Sequence, residues 1–308
     1  MERDRHPKQR LVNPPADRAV SDEHPEEKQR YRKRRLVNHL FLLLSLTAVV
    51  VGLVFLAWIL FTVVLKGWSG LALQLFRADT PGPGMAQGGL RNAMVGSLMM
   101  NALAIVAATP IGLLAGTYLA EYGRYTRLAD SVRFINDVLL SSPSIIIGLF
   151  VYEFAVAPFG GFSGWAGILA LAIIVVPVVL QTTETMMRLV PDALREACAA
   201  MGAPRYVMII KIAYRAALNG VITGVLLGFA RISGETAPLL FTALGNQYWN
   251  VDLSQPMPNL PVVIFNFANS SFENWQVLAW AGALVITMVV LLLSITARFL
   301  ATSSKRAS

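Results

Sequence analysis

Arg231 lies in the apolar run GVLLGFARISGETAPLLF, and Glu235 follows four positions later. A guanidinium keeps its charge in lipid and presents forked N–H donors that match a tetrahedral oxyanion. A carboxylate at i+4 shares its helix face, one turn on. The pair is therefore expected to neutralise itself, and Glu235 to compete with any arriving anion for the arginine. With a span over 218–243, Arg231 is about 16–20 Å from either end, close to the bilayer midplane. Arginine there costs at least about 2.5–3.5 kcal/mol, so it needs a partner or a cavity. Two readings follow: an anion pathway, or an ion pair that packs one helix against another. Gly234 and Pro238 loosen the helix nearby. Freed backbone is tolerated at that depth only where it lines protein or a cavity.

Ser141, Ser142 and Ser144 surround Pro143 just before the apolar run Ile145-Ile146-Ile147-Gly148. The proline removes a backbone hydrogen bond and kinks a span expected over 135–157. Hydroxyls there either line a polar path or repair the kink. Thr109-Pro110 and Pro177 mark further kinks. Catalysis and metal binding find no support in residue types. Cys198 is the single cysteine, and two of the three histidines, His6 and His24, lie in the charged N-terminal stretch. Neither a disulfide framework nor a Cys-rich metal site can be built, and no cofactor is implied. No G-x-x-x-x-G-K-[ST] phosphate loop occurs, so the chain is not expected to be an ATPase or an enzyme.

A second kind of signal lies in PDALREACAAMGAPRYVMIIKIAYR, residues 191–215, a long polar stretch in an otherwise apolar chain. Pro191 and Asp192 suit a helix start. Strong helix formers fill Ala193 to Met201, and Gly202 suits the left-handed position just past a helix end. Pro204 opens a second helix, expected over Arg205 to Tyr214. The stretch predicts helix, corner, helix, with a small-residue face that lets a backbone sit deep in a partner's groove.

These pieces must be held by membrane-spanning helices. The 308 residues are 55% hydrophobic and 14% charged, against about 25% charged in a soluble domain. Six segments reach the length of about 20 apolar residues that a bilayer requires: 37–65, 93–120, 135–157, 164–186, 218–243 and 275–300. The fold class is all-α, a polytopic membrane protein of six transmembrane helices. The first 35 residues carry many charges and are expected to be a disordered basic tail without a cleavable signal peptide. Their last residues, Arg32 to Arg35, either anchor the first span or bind lipid. Residues 36–303 form the membrane domain, with a loop at 187–217. Of the 26 Lys and Arg, 22 lie in the tail, in 121–134, in 187–217 and at the C-terminal end. That bias places both termini and the 187–217 loop in the cytoplasm of a cell-membrane protein. Of the outer loops, 66–92 is rich in turn signals, and 244–274 carries aromatics that suit an interfacial belt or a cap on the outer mouth.

Two sets of motifs resemble known families. Glu196-Ala197-Cys198, then Gly202-Ala203, then Ile212 ten residues after the glycine, resemble the E-A-A…G…I-x-L-P loop of ABC-importer membrane subunits. Cys198 stands for the second alanine, and Tyr214-Arg215 stand for Leu-Pro. The bland alternative is an ordinary amphipathic loop. Arg231 to Leu240 closely resemble R-x-x-G-E-T-A-P-L-L of phosphate-importer permeases. Pro143-Ser144-Ile145 with Gly148-Leu149 are similar to that group's P-S-I-x-x-G-L-F. Pro110-Ile111-Gly112 with Tyr118-Leu119-Ala120-Glu121-Tyr122 are similar to its P-x-G…Y-L-x-E-Y. On these motifs the chain is identified as a member of the A-type membrane subunits of bacterial phosphate-specific ABC importers. The resemblance implies a second, homologous permease subunit, two ATP-binding subunits that hydrolyse ATP, and an extracytoplasmic phosphate-binding protein. It also implies transport by alternating access, with Glu196, Ala197, Cys198, Gly202, Ala203 and Ile212 coupling to the ATPase. Two rivals stay open: a proton-coupled anion carrier, and a membrane sensor or assembly subunit that moves nothing.

Overall fold

The computed structural model describes residues 25–85, 88–124 and 126–304. Among them every regular element is a helix. In chain order these are α1 (Pro25–Trp68), α2 (Leu73–Arg77), α3 (Arg91–Thr117) with a π-helical turn at Tyr118–Tyr122, and α4 (Arg127–Ser141). Next come α5 (Ser144–Val151) with a π turn at Tyr152–Val156, α6 (Gly164–Arg188), and α7 (Asp192–Ala200). The chain continues with α8 (Arg205–Met208), a π turn at Ile209–Ala213, α9 (Tyr214–Ile232), α10 (Ala237–Thr242), α11 (Leu260–Ala268) and α12 (Glu273–Ser304).

The chain divides into residues 1–60 and 61–308. In the first unit α1 carries no charge from Leu40 to Leu60, a helix apolar all round, as a lipid-facing span must be. The expected disordered tail covers 1–35. Residues 1–24 lie outside the described residues, and 25–35 form the first turns of α1.

In the second unit α6 is the central post, two-thirds buried along its most apolar stretch. Small residues explain how neighbours reach it. Gly112 and Gly116 of α3 form a G-x-x-x-G seam. A Cβ at Gly116 would lie 2.6 Å from the Leu180 carbonyl oxygen, and one at Gly112 would lie 2.7 Å from Val179 Cβ. Gly220 and Gly224 of α9 repeat the device on another side, against Met186 and Thr182. Small residues at this spacing let helix backbones close up where lipid supplies no hydrophobic drive. Met100, Ala104 and Ala108 of α3, Ile147 of α5, Leu171 and Val175 of α6, Ile232 and Leu239 make one apolar core. On a second core, Leu90 and Ala93 pack with Phe267 of α11 and Trp275 and Ala281 of α12.

Five helices are long and apolar enough to cross a membrane, and a sixth crossing exists if one bent pair counts as a span. Two expected spans need correction. The third is not a kinked rod: α4 and the segment Ser144–Val156 meet at 105°. Pro143 caps α5 in an extended conformation, and Ser142 ends α4 the same way. The fifth runs Arg205–Ile232 rather than over 218–243. It starts earlier because Tyr214-Arg215 replaces a helix-stopping Leu-Pro, so α8, the π turn and α9 form one rod. It ends earlier because Ser233 and Gly234 break it before Pro238 opens α10.

Candidate functional site

The break after α9 brings the candidate anion residues to the end of a rod. Arg231 is the second-last residue of a 28-residue helix, about 39 Å along from Arg205 at 1.5 Å per residue. It therefore sits in a last turn, where a cation complements the helix dipole, and not at mid-helix as its place in 218–243 implied. The guanidinium is exposed on this chain. Glu235 lies half-buried in the break, off the helix, and the expected self-neutralising pair is not formed. Among the described residues no ion pair joins Arg231 or Glu235 to any charge. The i, i+4 rule fails because it holds only while the helix continues.

Packing fixes this break from two sides. Asn101 of α3, buried in the core, donates through Nδ2 to Ser233 Oγ at 3.5 Å, and Ser233 donates to the Phe229 carbonyl at 2.8 Å. Gly148 of α5 meets Pro238 of α10 so closely that a Cβ would lie 2.6 Å from Pro238 Cα. The two broken spans therefore touch, α5 against α10. At the other break, Ser141 and Ser142 both donate to the Val138 carbonyl, at 3.0 and 2.8 Å. Both hydroxyls are tied back to their own helix, on a carbonyl that the Ser142 N–H also reaches at 3.0 Å. Ser144, half-buried in the first turn of α5, has no such bond among the described ones.

The polar loop folds as its punctuation dictates. Gly202 takes φ +73°. Its N–H donates to the Ala199 carbonyl at 3.0 Å, and the Ala203 N–H to the Cys198 carbonyl at 3.1 Å. Those two bonds close the glycine-capped end of α7. Leu194, Glu196, Ala197 and Met201 face outward. Cys198 faces inward at 3% exposure, packed with Ala120, Met187, Val190, Met208 and Ile209; Ile212 packs on the same cluster. Cys198 and Ile212 thus anchor the loop, while Glu196 and Ala197 present its open surface.

Sequence reasoning missed what holds that loop. Glu121, in the π turn after α3, is 4% exposed. Arg195 of α7 donates to it through Nη2 at 2.7 Å and through Nε at 3.2 Å. The same guanidinium reaches the Met187 carbonyl, the Val190 carbonyl and Asp192. The hydrogen bond to Glu121 holds Arg195 above even its usual high pKa range. Removing one partner of such a buried pair costs about 3–5 kcal/mol, because the other charge stays buried. Neighbours of Glu121 grip the loop as well. The Tyr122 ring lies 4.5 Å under the Arg205 guanidinium, and Thr117 Oγ1 and the Tyr214 hydroxyl are 2.5 Å apart. Arg124 pairs with Asp192 at 3.4 Å. Arg133 of α4 and Arg188 share Glu184 of α6, at 2.9 and 2.7 Å. The signal available for Glu121 was an acidic residue ending an apolar run, with Arg195 in the one polar loop.

The far loops are also built. Arg91 makes a two-pronged pair with Asp79 at 3.0 Å and lies 4.7 Å over the Trp249 ring. Asn92 donates to Thr80 Oγ1 and to the Gln247 carbonyl, both at 2.9 Å. Phe162, Ser163, Trp165, Ser254 and Gln255 help line a cavity of about 760 Å³.

Comparison with known proteins turns this architecture into a family assignment. The family described as binding-protein-dependent transport system inner membrane component matches residues 108–306. The phosphate transport system permease protein PstA of Pasteurella multocida is 57% identical over 265 residues, covering 86% of this chain and 94% of that protein. Its counterpart in Yersinia pestis is 53% identical over 279 residues, covering 91% and 94%. Among solved structures, an inward-facing form of the MetNI methionine ABC transporter shares the fold at TM-score 0.53 and 18% identity, covering 69% of this chain and 93% of that one. An all-helical membrane chain with broken spans and a braced polar loop, this close to such relatives, belongs to the phosphate transport system permease family, a branch of the inner membrane components of binding-protein-dependent transport systems.

Proposed function

We propose that this chain is one permease subunit of an ATP-driven importer that moves inorganic phosphate into the cytoplasm by alternating access. Both termini and the α7 loop lie in the cytoplasm. A second, homologous permease subunit completes the passage, two ATP-binding subunits hydrolyse ATP, and an extracytoplasmic phosphate-binding protein supplies substrate. The observation that carries this reading is Arg231. It is a permanent cation at the broken end of an apolar span, exposed on its own chain and without an ion-pair partner there among the described residues. A membrane-embedded arginine faces a water-filled cavity or a partner protein. At the seam with a second permease subunit it would meet both. Phosphate carries one to two negative charges at neutral pH, so it needs positive groups in transit and weak enough binding to leave. A single arginine, with Glu235 four residues on as a competing carboxylate, meets both needs. Ser144, at the start of α5, adds a hydroxyl to the same passage. Glu196 and Ala197 supply the docking face for the ATPase, on a loop that Cys198, Gly202, Ala203 and Ile212 hold in shape.

The test is uptake of labelled phosphate into vesicles that carry the whole complex, with ATP supplied on the cytoplasmic side and sulfate as competitor. ATP-dependent uptake that excess sulfate leaves intact is expected. Uptake that survives ATP depletion under a proton gradient would make the chain a secondary carrier. No flux at all would make it a sensor or assembly subunit.

A further inference from the structure

Glu121 does more than satisfy an arginine. The eight residues 117–124, the π turn with its flanks, touch the polar loop at every one of its helices. Glu121 holds Arg195 of α7, Tyr122 stacks under Arg205 of α8, and Thr117 meets Tyr214 at the start of α9. Ala120 sits fully buried in the cluster formed by Met187, Cys198, Met208 and Ile209. The π turn makes this reach possible. It adds a residue to the helical turn, so that consecutive side chains point at different neighbours instead of stepping around an α-helical face. Arg195 then closes the ring, because the same guanidinium also takes the carbonyls of Met187 and Val190 at the end of α6. One buried ion pair thus ties α7 to the spans of α3 and α6, and Thr117 and Tyr122 beside it hold the span of α9.

We infer that Glu121 is the positioning residue that makes α7 and the span of α3 move as one body, so that a push on α7 is delivered to the transmembrane helices instead of being lost in the loop. The inference rests on the transport reading above for its meaning, but not for its test. A loop fixed only by its own two ends could tilt about Val190 and Ala203. The Glu121–Arg195 pair removes that freedom, and its burial keeps water from substituting for either partner. Gln at 121 retains shape and one acceptor but loses the charge. Lys at 195 retains the charge but not the fork that reaches two carbonyls and a carboxylate at once.

The experiment uses the complete complex in lipid vesicles, with Glu121→Gln compared against the native protein. Assembly is checked by co-purification of the partner subunits. Two quantities are then read. The first is phosphate moved per ATP hydrolysed, expected to fall about tenfold while hydrolysis itself persists, a loss within the range of a coupling residue. The second is the distance between spin labels on Leu114, an exposed α3 residue, and Ala199 on the flank of α7, measured with and without ATP in a Cys198→Ala background. It is expected to stay fixed through the cycle with Glu121 present and to change with ATP in Glu121→Gln. A parallel fall in transport and hydrolysis, or a label distance that ignores the substitution, overturns the inference. If Glu121→Gln does not assemble, Arg195→Lys is read by the same two measures; failure of both to assemble makes the pair structural and overturns it too. A native complex that moves no phosphate refutes the transport reading, and the label distance alone then judges the latch.

Discussion

Arg231 stays charged at every physiological pH, so its chemistry lies in shape as much as in charge. Lysine in its place keeps the cation and loses the planar fork. Arg231→Lys should therefore retain assembly and lower phosphate uptake about tenfold, the price of one charge-assisted hydrogen bond of about 1.5 kcal/mol. An initial-rate uptake assay checks it. Cys198 is the contrasting residue. It occupies an alanine position of the loop motif, buried against Met208 and Ile209 and facing away from the open surface. Cys198→Ala should leave ATP-driven uptake near native and lower stability by only about 1 kcal/mol. Cys198→Leu should overpack the cluster by about 1–3 kcal/mol. Thermal unfolding of the purified complex separates the two. Residue types alone made Arg231 a candidate, since an arginine in an apolar run has few explanations. They did not make Glu121 legible, because its partner is 74 residues away and nothing local names it.

At the level of elements, the helical corner at Gly202 could be read directly, because glycine and proline act on their own backbone. The breaks in spans three and five could not. Leu239, Leu240 and Phe241 continue the apolar run past Gly234, and composition does not tell a straight rod from two short ones. What decides is tertiary contact: Asn101 holds Ser233, and Gly148 admits Pro238. The same contacts yield a prediction. Gly148→Leu should separate α5 from α10 and prevent recovery of a folded complex, since the neighbour is backbone and cannot step aside. Gly116→Val, which drives a side chain into the Leu180 carbonyl, should destabilise by about 1–3 kcal/mol and lower the yield. Size-exclusion profiles of the solubilised variants report both. By contrast, Gly234 has open space around it, and Gly234→Ala should be tolerated in assembly.

At the scale of the molecule, Arg231, which has no ion-pair partner among the described residues, is exposed at one broken span, and a second broken span packs beside it. A separate polar loop is tied to α3 and α6 by Glu121 and Arg195. Broken helices free backbone groups and irregular surface at a depth where continuous rods would seal the bilayer. The long apolar helix of α1 and the general count of spans followed from hydropathy. The contacts that tie the loop to α3 and α6 did not, because they depend on which helices touch. The most direct measurement compares native protein with Arg231→Ala in vesicles that carry all partner subunits, following ATP-driven entry of labelled phosphate. The account predicts that entry stops while the subunits still co-purify; entry at the native rate in the alanine variant would contradict it.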